Sequence, residues 1–314
     1  MRDVLRHASY STGGRIAATV PGESVAMYRV SAGGQALSTP PSVPMVPVSV
    51  PPAYPGSDLL LAVPGEALPV TAGIRNDGVT PLRNITMTLG APAGWTVEPT
   101  GPTTVRELDP DAFATSSWKV TPPDDAAPTS SAAITVDVAY QWHGVTADNR
   151  LPRLIDERTS TTTNVRVVPP PPTTSMALSD HPWLRATSGW NVPHANVEVG
   201  GGPMRLGATT YQKGIGVASP SVVDYYLGGQ CTGLSATVGI DNVARGGGGG
   251  TATFQVLGDG AVLHDTGLIA QSATQNIAVD LTGVDVLRLQ VGDAGDGGYN
   301  DRADWANVQV TCAS

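Results

Sequence analysis

The sequence predicts an all-β protein of two sandwiches, an immunoglobulin-type one followed by a jelly roll. Three observations carry this. Gly (37) and Pro (27) together exceed a fifth of the 314 residues, while 14% are charged and 5% aromatic, a mixture that describes short strands joined by many turns. Apolar residues alternate with polar ones through most of the chain and show no helical period. The length is enough to bury two cores of ordinary domain size.

Residues 1–34 hold two strand-like pieces, GRIAATV and SVAMYRV, on either side of the turn signal Pro21-Gly22. Two strands bury no core alone, so this piece reads as the remnant of an upstream β-domain. Residues 35–55 read as a proline-rich linker, although MVPVSVPP alternates and could enter an edge strand.

Residues 56–167 read as the first sandwich. Its alternating positions are Leu68, Val70, Ala72 and Ile74, then Ile85, Met87 and Leu89, then Ile134, Val136, Val138 and Tyr140. Turn signals such as Asn76-Asp77-Gly78 separate them, and DERTSTTTNVRVV supplies the final strand. Residues 168–175, with VPPPPTTS, predict a semi-rigid spacer, because proline fixes φ and favours polyproline II. Residues 176–314 form the second set, with Val223 and Tyr225, Leu234 to Ile240, Phe254 and Val256, Ile277 and Val279, Leu287 to Val291, and Val308, Val310 and Cys312 as inward positions.

A net charge of -9 and a pI near 4.9 leave no electrostatic footprint for nucleic acid or for an anionic membrane. No run of about 18 apolar residues is present. The start MRDVLRHASY lacks the apolar region of a secretory signal; the expectation is a piece of a longer secreted protein whose true start lies upstream of Met1. Cys231 and Cys312 each sit beside a strand-like segment. They read as one disulfide, with two buried free thiols as the alternative.

The segment DAGDGGYNDRADW, residues 293–305, crowds aspartates and glycines before the last strand. It lacks the alternate Asp spacing and the terminal Glu of an EF-hand. Two readings stay open: a calcium held near Asp293 and Asp296 by an irregular loop, or a turn whose aspartates cap backbone groups. The run GGGGG at 246–250 has no following lysine or helix and reads as a hairpin tip. GIGVAS at 214–219 reads as a strand closely approached by other backbone. No Gly-x-Ser-x-Gly elbow is present and no pair of carboxylates stands out, so no catalytic residue is assigned.

In an all-β module an exposed aromatic ring is the usual platform for a sugar, whose hydroxyls then find carboxylates or amides. If Val308, Val310 and Cys312 face inward, Trp305 has the opposite parity and points outward unless a bulge intervenes. It would then lie beside Asp301 and Asp304. Tyr299 and Trp190 complete the expected sugar-binding set.

The segments LSDHPW, SGW, TTYQKGIGV, PSVVDYYLGGQCTGLSATVGID, TFQVLGDG and GDAGDGGYNDRADWANVQVTC resemble, in order, the NPCBM domain, carbohydrate-binding module family 51. The resemblance covers residues 176 to 312. It implies a galactose-binding-like β-sandwich that recognises galactose-containing glycans, often with a structural calcium. Where family members carry histidines this chain has Ala218 and Arg302, which puts histidine-dependent contacts in doubt. The segments RNDGVTPLRNITMTLGAPAGWTVEP and LDPDAFATSSWKVTPPDDA resemble the NPCBM-associated Ig-like domain of α-galactosidases. VLRHASYSTGGRIAATVPGESVAMYRVSAG resembles the last strands of the C-terminal β-domain of a family 27 glycoside hydrolase, whose catalytic aspartates lie in an upstream (β/α)₈ barrel. Such a barrel needs about 250 residues, and its repeats are not found in this sequence.

The expectation is an extracellular accessory region that binds a galactose-containing glycan beside the catalytic domain of a parent α-galactosidase. The rivals are a chain that itself hydrolyses α-galactosides and a purely structural pair of sandwiches.

Overall fold

The computed structural model describes residues 2–3, 8–9, 25, 27–29, 40–146, 149–243 and 249–312. The chain forms two compact units, one of residues Met1–Val50, Gly65–Pro123 and Ala133–Asn164, the other of Pro51–Pro64, Asp124–Ala132 and Val165–Ser314. GRIAATV lies outside the described residues. Of the first segment, Arg2–Asp3, Ala8–Ser9 and Tyr28–Arg29 pair as a small antiparallel sheet.

In the first unit one sheet has the spatial order Met45–Ser49, Leu68–Arg75, Phe113–Thr121, Thr96–Pro99. The segment read as linker therefore contributes an edge strand, where its proline removes no needed donor. The second sheet includes Asn149–Val167, Thr129–Thr146, Leu82–Gly90 and Thr104–Leu108. The alternation dictates the core: Val70, Ile74, Ile85, Met87, Ile134, Val136 and Val138 are all buried, around Trp118. Asn76 turns the chain by accepting the Gly78 amide at 2.9 Å and donating to the Thr80 and Leu108 carbonyls, each at 2.9 Å.

The second unit packs two sheets. One runs His194–Ala195, Gly214–Ala218, Arg302–Cys312, Cys231–Ile240, Thr274–Asp280. The other runs Arg185–Thr187, Ser221–Tyr226, Val286–Gly292, Thr251–Gly258, Ala261–Ala270. The inward positions expected from periodicity are buried in one continuous core. Cys231 and Cys312 form a disulfide between paired strands.

The proline segment after Val167 is not a free spacer. Val168 is buried with Tyr54, Leu59, Leu184, Tyr226 and Val286, and Pro169 and Pro172 are buried too. Proline stiffness favours an extended path, but the apolar surface within reach decides that the path is docked.

Two details of the second unit set up the site. The final strand carries a bulge at Asn307: Ser235 faces Gln309 and Thr237 faces Ala306, so Asn307 and Val308 oppose the single residue Ala236. Asn307 is exposed and adopts φ +46°. On the outer face of Gly214–Ala218, a Cβ at Gly216 would collide with the backbone of Val197 and Glu198. The glycine is there because a loop roofs the strand.

Candidate functional site

The bulge overturns the parity expectation for Trp305. Because one extra residue intervenes, Trp305 points into the core together with Val308 and Val310. It is fully buried, with its ring edge-on to Phe254 at 5.2 Å and 78°. No sugar can reach it.

Asp304 takes the opposite face, but the 197–206 segment covers that face and Asp304 is 0% exposed. Burial raises its carboxyl well above the ordinary aspartate range, reinforced by a hydrogen bond with Asp241 and by the negative charges of Asp241 and Glu198. The oxygens of Asp241 accept the Arg205 amide at 2.6 Å and the Val243 amide at 2.7 Å. Asp301 is also buried. Burial pushes its carboxyl up to about 6, with Asp296 and Asp293 adding repulsion, against the lowering effect of the Thr251 amide it accepts at 2.8 Å. Asp301 and Asp304 thus build the floor of the loop end and are not open to a ligand.

Asp293 and Asp296 serve the turn. Asp293 accepts the Gly295 amide at 3.1 Å and its carbonyl accepts the Asp296 amide at 3.2 Å, while Asp296 accepts the Thr251 hydroxyl at 2.8 Å. Among the described residues no group of three or more His, Cys, Asp or Glu is placed to hold a metal ion.

Trp190 and Tyr299 are exposed, by 51% and 83%. Trp190 is held with care. The Ser188 hydroxyl donates to its carbonyl at 2.7 Å and accepts the Ala218 amide at 2.8 Å, so the loop is tied to the strand at Ala218. Asn191, at φ +58°, donates to the Val199 carbonyl at 2.7 Å, which joins this loop to the one bearing Glu198. The Arg302 guanidinium lies 4.6 Å from the centre of the Trp190 ring, within cation–π range. Arg302 in turn faces the Glu198 carboxylate at 3.7 Å. Glu198 is buried and fixed by the Gly200 and Gly202 amides at 2.7 and 2.9 Å.

Glu198, Arg302 and Trp190 therefore form a chain of contacts that orients one indole at the surface. Glu198 escaped notice in the sequence. Its signal is the spacing Glu198, Gly200, Gly202, an acid followed by residues whose free amides can fold back on it.

An all-β sandwich that presents an oriented, exposed indole from its loops has the build of a carbohydrate-binding module. Residues 174–311 match the model of the NPCBM/NEW2 domain, and residues 62–141 that of the NPCBM-associated NEW3 domain of alpha-galactosidase. The chain thus carries an NPCBM domain, a carbohydrate-binding module of family 51, behind a NEW3 domain. A Renibacterium salmoninarum protein with the provisional name endo-alpha-N-acetylgalactosaminidase is 32% identical over 259 residues, 80% of this chain. The chain spans only 16% of that relative's length. Among solved structures, the family 51 module of Clostridium perfringens GH95 in complex with methyl-galactose is 27% identical, covering 44% of this chain and 100% of that one, with a TM-score of 0.42. The second such module of C. perfringens ZmpB, with GlcNAc and INT domains, is 25% identical over 57% of this chain and 37% of that one, also with a TM-score of 0.42.

Proposed function

We propose that the second unit binds galactose-containing glycans and holds an attached extracellular glycoside hydrolase, an α-galactosidase, against its substrate. The carrying observation is the exposed Trp190 ring, fixed by Arg302 and through it by Glu198. An indole held in one orientation loses little further freedom when a sugar ring packs on it, and the apolar face of galactose matches such a platform. Arg302 lies over one face of the ring, so the sugar packs on the other. Tethering raises effective concentration, so a weak module suffices on a polymer. The description of the NEW3 family as a domain of alpha-galactosidase supports the choice of parent. In this reading the bond-breaking chemistry belongs to the parent's catalytic domain.

Affinity electrophoresis through galactomannan tests it. Retardation that disappears in Trp190→Ala is expected; a mobility unaffected by any galactosyl polymer rejects the reading.

A second parent is favoured by the 32% identical relative, whose name describes an endo-alpha-N-acetylgalactosaminidase. On that reading the terminal sugar is N-acetylgalactosamine. Competition by free galactose and by free N-acetylgalactosamine separates the two.

A further inference from the structure

The loop after Val291 carries one side chain that nothing in the fold explains. Tyr299 is 83% exposed, at the tip of a tightly wound segment in which Ala294, Gly295, Gly297 and Asn300 all have positive φ. A large aromatic ring left in water on an otherwise polar turn adds no stability to the fold.

Its location is specific. A Cβ at Gly298, just before Tyr299, would strike the Ser219 carbonyl, and a Cβ at Gly189, just before Trp190, would strike the same carbonyl. Both loops therefore close on one peptide group, and each places an exposed aromatic at the next position. The connection is repeated at Arg302, which lies on the Trp190 ring and whose amide bonds the Asn300 carbonyl at 3.0 Å.

We infer that Tyr299 forms a second sugar subsite beside Trp190, so that the module recognises at least a disaccharide ending in the sugar that Trp190 holds. This rests on the proposed glycan-binding reading of Trp190 and goes beyond it. Two exposed aromatics on loops that close on one peptide group offer two separate stacking platforms. An aromatic contact of this kind is worth about threefold to tenfold in affinity.

Calorimetry on the full chain tests it with four probes: the two methyl-galactoside anomers, melibiose and lactose. Wild type is expected to bind one disaccharide about threefold to tenfold more tightly than the matching methyl-galactoside. Tyr299→Ala should erase that advantage and leave methyl-galactoside binding unchanged, while Tyr299→Phe retains it. An equal affinity for mono- and disaccharide in wild type, or an advantage that survives Tyr299→Ala, overturns the second subsite alone. Wild type that binds none of the four probes overturns the galactose reading of Trp190, and the second subsite with it.

Discussion

Asp304 and Asp241 meet as two buried carboxyl groups, and burial, reinforced by Asp241, holds the Asp304 proton well above the ordinary aspartate range. An unfolded chain gives up this proton near an ordinary aspartate value of about 4; the folded chain keeps it to higher pH. Above pH 4 the unfolded state thus binds fewer protons than the folded one, and stability falls as pH rises. Asp304→Asn keeps an N–H donor toward Asp241 and has no proton to lose. Its unfolding free energy should depend less steeply on pH above 4 than that of wild type. Parallel slopes in denaturant titrations would contradict a proton held on Asp304.

Asp301 contributes in the same sense over a narrower window. Its folded value of about 6 confines the loss of stability to the interval from about pH 4 to about pH 6. In Asp301→Asn the difference from wild type should be fully developed by about pH 7 and flat beyond it. Carboxyl chemical shifts followed by NMR give the midpoint directly, and a midpoint near 4 would reject the buried environment.

Trp305→Ala should damage the fold and not the binding surface. Removing a fully buried indole typically destabilises by roughly 3–5 kcal/mol. Trp190→Ala, at an exposed position, should change unfolding free energy by less than about 1 kcal/mol while abolishing glycan retention. Paired thermal unfolding and affinity electrophoresis distinguish the two tryptophans; selective loss of binding in Trp305→Ala would be the contrary result.

Glu198→Gln should weaken glycan binding without touching the glycan. The amide keeps one acceptor for the Gly200 and Gly202 amides but removes the charge that faces Arg302. Arg302 is then less constrained over Trp190, and affinity should fall about threefold to tenfold. Acrylamide quenching of indole fluorescence should rise in parallel, a change that Trp190→Phe eliminates. Unchanged quenching would mean that Glu198 does not act through Arg302.

The Cys231 to Cys312 bond closes a loop with a sequence separation of 81. In the chain-entropy model, replacing both cysteines by serine should lower stability by roughly 4 to 5 kcal/mol. Chemical denaturation of the double variant measures this, and a midpoint equal to that of the reduced wild type would attribute the loss to the bond itself.

The two cores were legible in the sequence because period-two alternation fixes which side chains face inward whenever one face of a strand is covered. Val70, Ile74, Leu234, Val238 and Leu289 needed nothing else. The site was legible only in part. Trp190 and Tyr299 emerged at the surface as exposed aromatics, but Trp305 was misplaced because a bulge changes parity without leaving a mark in composition; Asn307 is an ordinary residue until its φ is known. Asp304 was misplaced for a different reason. The bulge turns it to the face away from the core, but a roof from residues about a hundred positions away covers that face, and only the demand for glycine at Gly216 hinted at one. Glu198 was invisible because its partners are backbone amides and an arginine on the opposite side of the domain's sequence.

The bulge at Asn307 divides the last strand into two halves whose phases are set independently. The later half answers to the disulfide and to Val308 and Val310, and the earlier half to Trp305 and the Arg302 side chain that reaches the surface. Loss of one residue there, with the cysteines still joined, would exchange the inner and outer faces of residues 302–306. The indole would be driven against the segment 197–206 that roofs the outer face, and Asp304 and Arg302 would turn toward the core. A single uncounted residue thus keeps the recognition end and the covalent end of one strand compatible with the same sheet.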